Sequence, residues 1–115
     1  MAKRRFIAPT RSEVDPACFA RPLFDGYAAY RAWFDAPVWP SLDALNAAMP
    51  LADRRFAAQD QHLLDDGWHY EARIGESGVI ATRPENWHDL FNAAVWCRYP
   101  ILKSAINARQ CAHIT

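Results

Sequence analysis

Eight prolines punctuate this chain of 115 residues, and their positions limit every regular element it can form. Proline fixes φ, removes a backbone donor and pushes the residue before it out of the helical region. Pro9, Pro16 and Pro22 therefore predict an irregular segment over roughly the first 22 residues. Beyond it, Phe24, Tyr27, Tyr30 or Arg31, and Phe34 recur at helical spacing, so a short amphipathic helix is expected over residues 23–34. Gly26 weakens that helix and Pro37 ends it. Ser41 is a natural N-cap and Pro50 a stop, which brackets a helix of about two turns over residues 42–49. Pro84 and Pro100 bound a further helix, and a last one starts near Ile101.

The middle of the chain reads differently. Residues 55–59 have weak strand character because alanines dilute it. Residues 68–74 and 79–83 are β-prone and flank Gly75-Glu76-Ser77-Gly78. Two such runs around a loop with two glycines predict an antiparallel hairpin near residues 68–83. Pairing Ile74 with Val79 would set Glu71 opposite Thr82 and Tyr70 opposite Arg83, and a slip of one residue would reassign every face. The resulting fold class is α+β: N-terminal short helices, a small antiparallel sheet, and two C-terminal helices. Length and the absence of a linker predict a single domain over 1–115.

Charge and cysteines narrow the functional classes. Formal net charge is zero, which argues against a surface built as a whole for nucleic acid or acidic lipid. Basic residues do gather at the ends, Lys3, Arg4, Arg5 and Arg11 at one and Lys103 and Arg109 at the other, so nucleic acid stays open as a partner. Three cysteines, Cys18, Cys97 and Cys111, without a C-x-x-C pair point to reduced thiols and a cytoplasmic setting. No apolar run approaches a membrane span, and the basic start lacks the apolar core of a secretory signal. Phosphate-loop and dinucleotide glycine signatures are missing, so no cofactor is implied.

The densest chemistry lies in residues 82–93, where Arg83, Glu85, Asn86, His88, Asp89 and Asn92 surround Trp87, Leu90 and Phe91. Asn86 is a favoured N-cap, and Asp89 at the third helical position is placed to reach back as in a capping box. Helical spacing sets Glu85, His88 and Asn92 together, with Asp89 beside them. The expected hairpin would bring Arg83 to the same end, with Glu71 and Arg73 nearby. Imidazole titrates near neutrality and moves protons, a carboxylate holds its tautomer, and arginines hold anions. The candidate catalytic set is thus His88, Asp89 and Glu71; the candidate ligand-binding set is Arg73, Arg83 and Asn92; the ligand is an anionic small molecule. No metal site is expected, because Asn92 is a poor transition-metal ligand and no second histidine has helical ligand spacing.

Tyr70-Glu71-x-Arg73-Ile74, Thr82-Arg83, Asn86-Trp87-His88-Asp89-Leu90-Phe91-Asn92-Ala93-x-Val95-Trp96, Tyr99-Pro100, Lys103 and Asn107 together resemble a bacterial family known as domain of unknown function 3025. The likeness covers roughly residues 38–110. It implies no assigned activity. It does place Glu71, Arg73, Thr82, Arg83, Asn86, His88, Asp89, Asn92 and Asn107 in the family pattern, while Gln110 stands where that pattern has histidine. The chain also looks shorter than the family at its C-terminus, so Leu102 and Ile106 are expected to be left uncovered and to mediate self-association.

The same polar residues have a plain architectural reading. Asn86 and Asp89 would cap the helix, Asn92 would tie it to a neighbour, and Arg83 with Glu71 would form a cross-strand ion pair. In either reading His88 is expected at the first turn of its helix with its ring towards Arg83 and the hairpin and not into bulk solvent; the architectural reading buries it against the sheet with both nitrogens satisfied. Three readings therefore compete: an enzyme, a binding module and an interaction protein.

Overall fold

The computed structural model describes residues 7–114. Lys3, Arg4 and Arg5, part of the basic N-terminal cluster, lie outside the described residues. The chain divides into two compact units, Met1–Trp39 and Pro40–Thr115.

In the first unit the prolines have the expected effect. Two 3-10 turns, Arg11–Glu13 and Pro16–Ala20, precede a longer 3-10 stretch, Pro22–Tyr30, which bends at Tyr27 and passes into α1 (Arg31–Asp35). The amphipathic helix expected over 23–34 is therefore a broken one. Its aromatic spacing still builds a core: the Phe19 ring lies 5.4 Å from Phe24 and 5.2 Å from Phe34. Arg11, counted above among the terminal cations, is structural here. Its Nε donates to Ala36 O at 2.7 Å, its Nη2 donates to Trp33 O, and its guanidinium lies over the Trp39 ring.

The second unit starts with α2 (Leu42–Ala48), where Ser41 Oγ accepts from Ala44 N at 3.1 Å, as expected of a cap. Then come β1 (Arg55–Ala58), a single turn α3 (Gln61–Leu64), α4 (Tyr70–Ser77), β2 (Val79–Thr82), α5 (Trp87–Arg98) and α6 (Pro100–Ile114). The class is α+β, but the sheet corrects the sequence reading. There is no antiparallel hairpin at 68–83. Residues 70–77 are helical, and β2 pairs in parallel with β1, Arg55 aligned with Val79 and Ala58 with Thr82.

Two local causes explain the change. Tyr70, Arg73, Ile74 and Ser77 recur at i, i+3, i+4 and i+7, a helical stripe hidden in β-prone residues; Arg73 and Ile74 are buried. Gly78 then ends the helix as a left-handed cap at φ 74, its N–H donating to Ile74 O at 2.9 Å. It is a helix stop and not part of a hairpin loop. A Cβ there would run into the carbonyl of Asp53. Parallel strands need such a crossover, and β2, buried at all four positions, has the continuous apolar character of a parallel strand.

The free edge of β1 is closed by a side chain. Asn46 Oδ1 accepts from Phe56 N at 2.7 Å and Asn46 Nδ2 donates to Phe56 O at 2.9 Å, so α2 supplies the pairing a third strand would give. Around the sheet, Leu45, Phe56, Ile74, Ile80, Leu90 and Trp96 form the core. Helix α6 docks on α4 at Gly75, where an added Cβ would stand 2.8 Å from Cys111 Sγ. Asn107, 3% exposed, ties the same pair by donating to Glu71 O at 2.9 Å.

Candidate functional site

The turn from β2 into α5 gathers the polar residues that the sequence singles out. Pro84 and Glu85 carry the chain round, with Glu85 at φ 51, a left-handed conformation that costs an L-residue roughly 1–2 kcal/mol. The turn delivers Asn86 in extended geometry, and its Oδ1 accepts from Asp89 N at 2.9 Å, the expected N-cap. The reciprocal half of a capping box does not form. Asp89 instead turns back to Arg83, accepting from its backbone N at 2.8 Å and from Nε and Nη2 at 2.9 and 3.0 Å. This bidentate pair has the strong geometry of guanidinium on carboxylate.

His88 takes the remaining capacity of Asp89, with Nδ1 and Oδ1 3.2 Å apart. An ionised carboxylate only accepts, so this contact uses the proton on Nδ1; in the neutral ring Nε2 then carries the lone pair. Burial alone would push the Asp89 carboxyl up. The hydrogen bonds from the Arg83 side chain, its backbone N–H and His88 outweigh it and hold the carboxyl below its usual value. The His88 side chain is 86% exposed, against 12% for Asp89. The expectation of a ring shielded from solvent is thus overturned: the contact to Asp89 fixes one nitrogen, while the ring itself faces water.

Asn92, one turn further on, donates from Nδ2 to Tyr70 Oη at 2.8 Å, linking α5 to the start of α4. Because Tyr70 accepts there, its own O–H is left to donate, and no acceptor for it stands among the described residues. Burial, then the negative charge of Glu71, push the phenol up to about 12, so it is a neutral donor across the physiological range. Asp89 and Arg83 also act on this phenol electrostatically, which puts it beside the Arg83–Asp89–His88 group.

Two expected members stand elsewhere. Glu71 faces α6, where Asn107 Nδ2 donates to its Oε2 at 2.7 Å; no hydrogen bond or ion pair joins it to His88. Arg73, 2% exposed, is enclosed: Nε and Nη2 bind the Asp66 carboxylate at 2.7 and 3.0 Å, and Nη2 also donates to Trp68 O at 2.6 Å. It pins the 65–69 loop to α4 and offers no surface to a ligand. The hairpin that would have placed Glu71 and Arg73 beside Arg83 does not exist. Arg83, His88, Asp89 and Asn92 do come together, and Tyr70 joins them although the sequence reading gave it no site role. The helical stripe of α4 is the signal that finds it.

Among the described residues no three His, Cys, Asp or Glu side chains converge as a metal cage. No helix there is long and apolar enough to cross a membrane.

A parallel two-stranded unit with its β2–α5 turn and two C-terminal helices is the class of protein defined so far. The chain belongs to the family described as protein of unknown function DUF3025, whose model matches residues 54–115. That span holds both strands and every residue of the cluster. Comparison with curated proteins and with solved structures finds no match.

Proposed function

We propose that the β2–α5 turn is a small-molecule site in which His88 transfers a proton to or from an anionic ligand. The observation that carries this reading is the His88–Asp89 contact on an exposed ring. Asp89 fixes the tautomer and leaves Nε2 available as a base towards solvent, which is the arrangement general acid–base chemistry requires. Arg83, half exposed, retains Nη1 and outer protons for an anionic oxygen, and the Tyr70 hydroxyl adds a neutral donor. In this reading Asp89 is a positioning residue, since its carboxylate is committed to Arg83 and His88. Asn92 likewise positions Tyr70. A reducing, cytoplasmic setting and a bacterial source belong to the same reading, supported by three free thiols and by the family likeness.

The test is an NMR titration of the His88 ring with inorganic phosphate and simple carboxylates. The expected result is a saturable shift of the ring resonances that Arg83→Gln and Tyr70→Phe weaken. A ring that responds to none of these anions, in a folded protein, refutes the reading.

A second reading is an interaction module acting through α6. Ile101, Leu102 and Ile106 are 76%, 56% and 44% exposed, an apolar outer face of the kind that marks interfaces. Light scattering over a range of concentrations tests it, with Leu102→Glu expected to abolish any association.

A further inference from the structure

We infer that Lys103, seated against Trp96 between α5 and α6, is a second anion-binding position that extends the His88 site, so that the ligand carries two anionic groups. The inference rests on the proposed reading of the β2–α5 turn and names the kind of molecule it would take.

Three observations lead there. Lys103 is half-buried, yet among the described residues no carboxylate lies within ion-pair distance of Nζ and no hydrogen bond engages that ammonium. Burial pushes its ammonium down, and only the more distant charge of Glu71, whose Oε2 is already held by Asn107, pulls it back. Nζ instead lies 5.6 Å from the centre of the Trp96 ring, at the outer range of a cation–π contact. A partly desolvated cation without a counterion gains from any anion that reaches it.

Trp96 supplies the second observation. The residue is 1% exposed, and its indole Nε1–H is buried with no acceptor. Buried donors in folded proteins are nearly always satisfied, and an exception calls for an explanation. Here two unsatisfied donors, one charged and one neutral, belong to a single side-chain contact. An anionic oxygen would pair with Nζ on the side away from the ring face, supplying the ammonium with a counterion.

The third is position. Asp89, Asn92 and Trp96 follow one another at i, i+3 and i+7 and so share one face of α5. Seven residues at the helical rise separate the Asp89 end from the Trp96 end by about 10 Å. Tyr70 and Glu71, at the start of α4, stand between the two ends. The phenol is coupled electrostatically to Asp89, Arg83 and Glu71, and Lys103 to Glu71. His88 with Arg83 near one end of α5 and Lys103 against Trp96 towards the other are spaced for the two anionic groups of an extended dianion.

The experiment uses the full chain and a series of α,ω-dicarboxylates from succinate to sebacate, with acetate and inorganic phosphate as single-anion probes. Affinity is read by calorimetry and the His88 ring by NMR. The expected result is that the longer dicarboxylates shift His88 and bind wild type about tenfold more tightly than Lys103→Met. Lys103→Arg, which restores the charge, should recover most of that difference, and acetate should show no dependence on Lys103 at the His88 end. Thermal melting of each variant confirms that it is folded. If Lys103→Met and wild type bind every dicarboxylate equally while His88 still responds, the second position is refuted and the His88 site stands. If His88 is silent but phosphate binds in a Lys103-dependent way, the Lys103 position is supported and the proton-transfer reading fails.

Discussion

At the scale of single residues, identical side-chain types do opposite work according to what they touch. Arg73 and Arg83 both grip an aspartate with two nitrogens, but Arg73 is sealed in and Arg83 is 50% exposed. Only burial separates a staple from a candidate site residue, and sequence gives burial only through the correct helix or strand period. Asp89 gives a pH prediction with a definite sign. Its folded carboxyl lies below its unfolded value of about 3.9. The stability it contributes is therefore fully present above that value and lost as pH falls through the lower folded one. Acid unfolding followed by circular dichroism should show wild type losing stability across that window, and Asp89→Asn should flatten this part of the curve. Tyr70 makes the opposite test in base. Its phenol should ionise near pH 12 by ultraviolet titration, and Tyr70→Phe should remove that step. Loss instead of a step near the ordinary phenol value of about 10 would show that the Tyr70 hydroxyl is neither desolvated nor beside Glu71 as described.

Among the elements, the helix boundaries that rest on one residue were legible and the strand pairing was not. Ser41 and Asn86 cap because a short side-chain oxygen just before an apolar stripe reaches a free N–H whatever the rest of the chain does. Asn86→Ala should cost about 1 kcal/mol in denaturant unfolding; an unchanged midpoint would remove its role as a cap. Residues 70–77 were misread because β-prone composition and helical spacing coincide there, and two glycines mimicked a hairpin loop. The glycines have separate tertiary reasons: Gly78 is a left-handed cap, and Gly75 lets α6 approach α4. Local sequence cannot distinguish a glycine that turns from one that makes room. The Gly75–Cys111 contact gives a direct check. In the wild-type background Gly75→Ala should gain none of the roughly 1 kcal/mol of helix propensity it would otherwise bring, because Cys111 Sγ must move and release Glu71 O. With Cys111→Ala present, the same change should stabilise. A double-mutant cycle should return a coupling of at least about 0.5 kcal/mol; additivity would mean that α4 and α6 do not meet as described.

For the whole molecule, the family match lies inside one of the two units and covers only part of it. Residues 54–115 carry the family match, and they fall wholly inside the unit that begins at Pro40. That unit closes its own core around Ile74, Ile80, Leu90 and Trp96, and it satisfies the free edge of β1 with Asn46, a residue outside the matched span but inside the unit. Asn46 thereby sets the smallest piece that can carry the candidate site. Cutting at the family boundary would remove α2, expose Phe56 and leave its N–H and C=O unpaired, a loss of two hydrogen bonds and of the Leu45 packing. A fragment of residues 40–115 should therefore unfold cooperatively and keep the His88–Asp89 contact, with the same His88 response to anions as the full chain. A fragment of residues 54–115 should lack a cooperative transition and bind ANS. The Asn46→Ala variant of the longer fragment should fall between them, destabilised by about 1–3 kcal/mol for the stranded backbone pair. Should the shorter fragment melt as sharply as the longer one, the edge closure by α2 would have no part in holding the site, and β1 and β2 would have to be stable on the packing of α4, α5 and α6 alone.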